Sequence, residues 1–179
     1  MTIATRRLAL LLPLAAATAL PLAAPAAAAD PRTPLAVQSR VYDLVSRVEN
    51  LAGTERVSES RSETTYSLQA AVLFAKDSAD ISAQAKHKID AIAQKIAQAN
   101  PGRAVEIRGF TDNLGSAQHG LELSTERANA VKQLLEKNPA LSRLTFTAKG
   151  FGEAQPIADN SNESGRQKNR RVEIVVPTR

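Results

Sequence analysis

The sequence predicts a two-layer α/β sandwich, in which a mixed β-sheet carries its helices on one face. Three observations support this fold class. Four short segments alternate apolar and polar residues with the period of a β-strand. Two longer segments between them repeat apolar residues with the period of a helix. The resulting order, β-α-β-α-β-β, buries all the apolar stripes if both helices cover the same side of a small sheet.

The first 29 residues have the pattern of a secretory signal peptide. Arg6 and Arg7 form a basic start, residues 8–22 are apolar, and small residues at 27–29 precede Asp30. The alternative is a retained membrane anchor, but the apolar stretch is short and interrupted by proline, whereas a spanning helix needs about 20 apolar residues. We expect a cleaved signal and an exported mature chain of about 150 residues, enough for one domain.

Residues 30–63 are predicted to form an N-terminal helix and a linker. An apolar residue recurs every three or four positions before Gly53, which is a helical, heptad-like spacing, and residues 54–63 are polar. Two interpretations are open: the helix packs on its own domain, or residues 35–52 form a short coiled coil for self-association or for a partner protein. The stripe consists of Val37, Val41, Leu44, Val48 and Leu51.

Residues 64–179 are predicted to form the folded domain. The first helix of this domain should bury Ala85, Ile89, Ile92, Ala93 and Ile96. In order, we expect a strand at 66–74, a helix after the capping residues 80–82, a strand at 104–110, a helix from Ser116 to about Lys137, a strand at 144–148, a turn-rich segment at 150–169, and a last strand at 172–176.

Composition excludes several classes of function. The chain has 23 basic and 18 acidic residues, a formal charge of +5, and no basic stripe interleaved with aromatic residues, so we expect no nucleic-acid partner. It has no cysteine, hence no disulfide, thiol metal site or lipid-bearing N-terminal cysteine. His87 and His119 fall on predicted helix surfaces, and no zinc, phosphate-loop or nucleophile motif is present. We expect no metal, no cofactor and no enzymatic activity.

Arg127 is placed on the apolar side of the second predicted helix. It follows Leu123 by four residues and precedes Val131 by four, so the three share a face. A guanidinium keeps its proton and is costly to bury without an anion. Either Arg127 forms a structural ion pair or extends along the helix edge to water, which the helix geometry alone favours, or it presents its charge to a ligand carboxylate.

Asp112 lies in the loop between the second strand and the helix that carries Arg127. Aspartate in such a loop often bonds its own backbone, so the residue type alone is weak evidence for a site. Its position allows Asp112 and Arg127 to face each other across a ligand with both an ammonium and a carboxylate. On the ligand interpretation of Arg127, the two charges would together hold a zwitterion.

The segment GRQKNRRVEIVV, residues 165–176, ends the domain. Arg170 is in phase with the apolar residues of the last strand, so we expect it on the side covered by helices. Arg171 is out of phase and is predicted to face solvent. The basic residues of this segment lack an aromatic stacking platform, which argues against a nucleic-acid site.

Five segments in this order and spacing resemble the OmpA-like peptidoglycan-binding domain family. The resemblance covers roughly residues 68–176, and the segments are VLFAKDSADIS, GFTDNLGS, LSTERANAV, GFGEAQPIADN and GRQKNRRVEI. It implies a periplasmic protein, either free or associated with the outer membrane, that binds the peptide stem of the cell wall noncovalently and tethers the envelope or a partner to it. The alternative is an envelope scaffold whose N-terminal helix is the main interface. A wall hydrolase is a third, less favoured reading.

The resemblance also implies roles for individual residues. Asp112 and Arg127 match the pair that grips diaminopimelate in the family. Other matches line or close that site: Thr111, Asn113, Asp77, Asn169 and Arg170. The chain departs from the family pattern at Phe110, where histidine is common, at Gly120, where asparagine is common, and at Ala75 and Lys76, which replace acidic and aromatic residues.

Overall fold

The computed structural model describes residues 46–50, 53–99, 101 and 104–178. These residues form a six-stranded mixed sheet in the order β1-β2-β3-β6-β4-β5. The strands are β1 Ser46–Glu49, β2 Glu55–Glu59, β3 Glu63–Gln69, β4 Ala104–Phe110, β5 Thr145–Gly150 and β6 Arg171–Pro177. The helices are α1 Ala70–Leu73, α2 Ala83–Ala99, α3 Ala117–Glu136 and α4 Glu163–Asn169, with a 3-10 turn at Pro139–Leu141.

The two long helices and the four predicted core strands confirm the α/β sandwich. In α2 the side chains of Ala85, Ile89, Ile92, Ala93 and Ile96 are buried, as their spacing predicts. Ser116 caps α3 by accepting a hydrogen bond from the His119 backbone amide. Strands β4 and β5 run parallel, whereas β6 is antiparallel to both β3 and β4. The core lies between α2, α3 and one face of this sheet.

The prediction of a helix reaching Leu51 is wrong for the described part of that segment. Ser46–Glu49 is a strand, paired antiparallel with Glu55–Glu59 so that Val48 faces Val57 across the ladder. Val48 is 65% exposed, so no helical apolar face is buried there. Residues 54–63, predicted to be a linker, instead form β2 and the start of β3. The other stripe residues, Val37, Val41, Leu44 and Leu51, lie outside the described residues.

The strand predicted at 66–74 extends too far, because its second half contains the short helix α1. β3 ends at Gln69, where its partner β6 begins, and the chain turns into the short helix α1. Within α1, Ala70 and Leu73 are buried at a helical spacing that an alternating pattern does not reveal. The predicted turn-rich segment contains α4, which Asn162 caps by accepting from the Gly165 amide at 2.8 Å.

Arg171 is buried, which contradicts the prediction that it faces solvent. Its side chain lies on the sheet face opposite the long helices, where its guanidinium carbon sits 3.7 Å from the centroid of the Phe110 ring. Phe110 stacks on Phe151 with centroids 5.0 Å apart. Arg171 also donates to the Glu173 carboxylate at 2.6 Å. The loop that carries Phe151 covers this corner of the sheet, so strand phase alone gives the wrong exposure.

Within the part of the chain that the structure describes, no helix has the length and apolar character needed to cross a bilayer. The predicted signal peptide, residues 1–29, lies outside the described residues.

Candidate functional site

A cavity of about 680 Å³ opens between α1, the loop that follows it, the start of α3 and α4. Its apolar wall includes Phe74 and Leu123, together with alanines of α1. Its charged lining includes Asp112 and Arg127, the two residues singled out from the sequence. The other ionisable lining residues are Lys76, Asp77, His119, Glu163 and Arg170. A pocket of this kind suits a ligand that is partly aliphatic and carries charges of both signs.

Arg127 is buried against the cavity, and no carboxylate of the described residues forms a salt bridge with it. Its residue is only 5% exposed, its Nε donates to the Ser78 carbonyl at 2.9 Å, and its guanidinium carbon lies 5.3 Å from the centroid of the Phe74 ring. Burial lowers the pKa of this guanidinium from its ordinary value, but arginine stays charged at neutral pH. A buried cation that lines an open cavity is suited to pairing with an anion.

Asp112 is held rigidly at the end of β4. Its residue is 9% exposed, and Oδ1 accepts from the Leu114 amide at 3.1 Å. Oδ2 accepts from Arg170, whose other terminal nitrogen donates to Glu163. Burial acts to lower the pKa of Arg170, but its bonds to Glu163 and Asp112 outweigh this and raise it. Each carboxylate oxygen has more than one lone pair, so Asp112 can still accept from a ligand.

Asp77 and His119 meet at the rim of the cavity. His119 Nε2 lies 2.8 Å from Asp77 Oδ1, which joins the loop after α1 to the first turn of α3. Both side chains are more than half exposed. The sequence predicts His119 on a solvated helix surface. Its contact partner, Asp77, lies 42 residues away in the chain, so a local pattern cannot indicate the contact.

Thr111 lines the cavity beside Gly120. Its Oγ1 is buried and has no hydrogen-bond partner among the described residues. A Cβ on residue 120 would lie 3.0 Å from this oxygen, which is tighter than ordinary contact. The absence of a side chain at Gly120 therefore leaves the space over Thr111 unfilled on the cavity side.

Two of the predicted site residues do not line the cavity. Asn113 is exposed in the loop after Asp112. Asn169 is fully buried and its amide is used within the protein: Oδ1 accepts from the Ile157 and Ala158 amides at 2.8 and 3.0 Å, and Nδ2 donates to Ala158 and Asn160. The structure therefore gives Asn169 the role of holding the loop at 157–160.

Replacing Asn169 with alanine should lower the free energy of unfolding by about 2 kcal/mol, because two backbone amides lose their acceptor. Asn169→Asp keeps the acceptor, but its buried carboxylate would face the Ala158 carbonyl oxygen and Asn160 Oδ1, which now accept from Nδ2, so it should cost at least as much. Urea denaturation of both variants measures the difference. Ligand binding measured well below the melting temperature should persist in both, and a selective loss of binding at unchanged stability would contradict this role.

Three ionisable residues of the cavity lining are not among the predicted site residues: His119, described above, Glu163 and Lys76. Glu163 is not predicted as a site residue because its segment is predicted to be turns. In the structure Glu163 begins α4, and Arg170, seven residues later, is the C-cap of that helix. In the sequence, Lys76 stands out only as a departure from the family pattern. No group of histidine, cysteine, aspartate and glutamate side chains within the described residues is arranged to hold a metal ion.

Comparison with known proteins identifies relatives in the bacterial envelope. The putative lipoprotein YfiB of Escherichia coli is 33% identical over 120 residues, which cover 67% of this chain and 74% of that protein. The peptidoglycan-binding protein ArfA of Mycobacterium bovis is 37% identical over 105 residues, or 59% of this chain and 32% of that protein. ArfA is thus much longer than the region it shares with this chain.

Solved structures show the same fold. The cell wall anchor of the T6SS from Pseudomonas aeruginosa superposes with a TM-score of 0.61 at 26% identity, covering 72% of this chain and 90% of that one. The periplasmic domain of Helicobacter pylori MotB gives a TM-score of 0.60 at 28% identity, covering 74% of this chain and 87% of that one.

The model of the OmpA family matches residues 73–170, more than half of the chain. This range runs from the end of α1 to Arg170 and therefore contains Asp112 and Arg127 as well as most of the residues that line the cavity. The protein belongs to the OmpA family.

Proposed function

We propose that the cavity binds the peptide stem of peptidoglycan noncovalently, at a diaminopimelate residue. Arg127 would pair with the carboxylate at the side-chain end of that residue, and Asp112 would accept from the adjacent ammonium. The observation that carries this proposal is the burial of the Arg127 guanidinium beside an open cavity with no carboxylate partner among the described residues. The similarity to the peptidoglycan-binding protein ArfA and to the cell wall anchor of the T6SS supports it.

The chemistry of the cavity fits this ligand. Diaminopimelate ends in an ammonium and a carboxylate on one carbon, joined to the stem by a methylene chain. The wall formed by Phe74 and Leu123 is suited to those methylenes. Lysine, which replaces diaminopimelate in some walls, has the ammonium but lacks the carboxylate, and so would leave Arg127 unpaired. We therefore propose selectivity for the diaminopimelate type.

We further propose that the mature chain acts in the periplasm, where it tethers itself or a partner to the wall without cleaving it. The signal-like pattern of residues 1–29 and the envelope location of its relatives support this. Incubation of the protein with sacculi should release no soluble muropeptides, and release that persists after repeated purification would overturn the non-catalytic part of the proposal.

The binding site is tested with purified sacculi of the diaminopimelate type. Arg127→Ala and Asp112→Ala should each weaken binding by on the order of 30-fold or more, because each removes one partner of a buried charged pair with the ligand. Arg108→Ala serves as a matched control: it removes a guanidinium that is paired with Glu106 at 2.6 Å and does not line the cavity. This control should bind like the wild type.

Stability measurements separate the ligand role of Arg127 from a structural one. Because Arg127 has no carboxylate partner among the described residues, its removal leaves no unpaired charge behind, and we expect a small change in melting temperature. Wild-type binding by both Arg127→Ala and Asp112→Ala would refute the site. Sacculi containing lysine in place of diaminopimelate should bind the wild type weakly.

A further inference from the structure

The acidic and the basic side chains that line the cavity differ in whether they form ion pairs. Each of its carboxylates has a basic partner: Asp77 contacts His119, while Asp112 and Glu163 both accept from Arg170. Two cations on the same lining, Arg127 and Lys76, have no carboxylate partner among the described residues. Arg127 and Lys76 are thus the two cations of the lining that form no salt bridge among the described residues, and one is buried while the other is exposed.

Lys76 differs from an ordinary surface lysine in its position. It is exposed on the loop between α1 and α2, next to Asp77, and it lines the same cavity as the buried guanidinium of Arg127. A flexible ammonium at the mouth can reach a ligand group that protrudes from the cavity. A ligand with a single carboxylate satisfies Arg127 and leaves Lys76 without an anion.

We propose that Lys76 is a specificity-determining residue that pairs with a second carboxylate of the bound stem peptide. The inference rests on the proposed function. In this arrangement Arg127 takes the carboxylate beside the free ammonium of diaminopimelate, Asp112 takes that ammonium, and Lys76 takes another free carboxylate of the stem. The protein then prefers stems with free carboxylates over stems in which these groups are amidated.

The expected preference is modest and depends on salt. An exposed ion pair changes affinity by about three- to fivefold at low ionic strength. Screening at 1 M salt, where the Debye length is about 3 Å, should remove most of it. The buried contact of Arg127 should respond less to salt, which separates the two contributions.

Two soluble peptides test the inference by isothermal titration calorimetry. One is N-acetylated L-alanyl-γ-D-glutamyl-diaminopimelate with all its carboxylates free. The other is the same peptide with every carboxylate amidated except the one beside the free ammonium. The wild type should bind the free acid about three- to fivefold more tightly. Lys76→Gln should lose this preference and keep its affinity for the amidated peptide.

Lys95→Gln is the matched control, since Lys95 is an exposed lysine of α2 that does not line the cavity. It should keep the wild-type preference. Equal binding of both peptides by the wild type, or an undiminished preference in Lys76→Gln, would overturn the role of Lys76 and leave the proposed function standing. Failure of the wild type to bind either peptide would overturn both.

Discussion

Gly109→Ala should destabilise the protein by about 3 kcal/mol or more, because the added methyl group has no room. An ideal Cβ at Gly109 would lie 2.0 Å from the backbone carbonyl oxygen of Ser124 in α3. This close approach brings α3 onto the end of β4, and so brings Arg127 towards the loop that carries Asp112. Thermal and urea denaturation should show the loss, and the surviving folded fraction should bind sacculi more weakly because α3 must move away from the strand.

The matched control for this change is Gly120→Ala. Gly120 lies in α3, and its Cβ would meet only the side chain of Thr111, 3.0 Å from Oγ1. The higher helix propensity of alanine, worth about 1 kcal/mol, should offset that contact. An unfolding free energy of Gly109→Ala as high as that of Gly120→Ala would show that the helix adjusts without cost.

Phe110→Ala should lower the free energy of unfolding by about 3–5 kcal/mol, as expected for truncating a fully buried aromatic residue. The ring is 1% exposed, stacks on Phe151, and supports the guanidinium of Arg171 on its other face. Truncation removes both contacts and leaves Arg171, itself only 3% exposed, above an empty space. Urea denaturation measures the loss.

Phe110→Leu separates the aromatic contribution from the apolar volume. It keeps most of the buried carbon but loses the aromatic face, so its cost should be smaller, about 1–2 kcal/mol. Phe110 does not line the cavity, so sacculi should still bind the leucine variant at low temperature. Equal stabilities of the alanine variant and the wild type would contradict the packing role assigned to this stack.

The elements that could be predicted from the sequence are those whose signals are local. The buried stripe of α2 and the N-cap of α3 at Ser116 depend on residues three or four positions apart. The burial of Arg127 follows from its phase with Leu123 and Val131 in the same helix. The strand predicted at 104–110, which is β4, ends at Phe110, where the alternation of apolar and polar residues ends.

The errors occurred where a distant segment decides the conformation. Val48 reads as part of a helical stripe, but the pairing of β1 with β2 makes it a strand residue. β3 stops at Gln69 because its partner strand begins at Arg171. Arg171 is buried by Phe110 and by the loop that carries Phe151, neither of which lies within three residues of it.

For the candidate site, local sequence patterns were enough to predict the two principal charges and the elements that carry them. Asp112 follows a strand, Arg127 lies on the inner face of a helix, and both statements follow from local periodicity. The contacts that these two side chains make depend on the folded arrangement of the whole domain. That arrangement placed Arg170 on Asp112, left Arg127 with no carboxylate partner among the described residues, and put Asn169 in the fold and away from the cavity. Ion pairing and burial depend on distances between segments far apart in the chain, which periodicity does not contain.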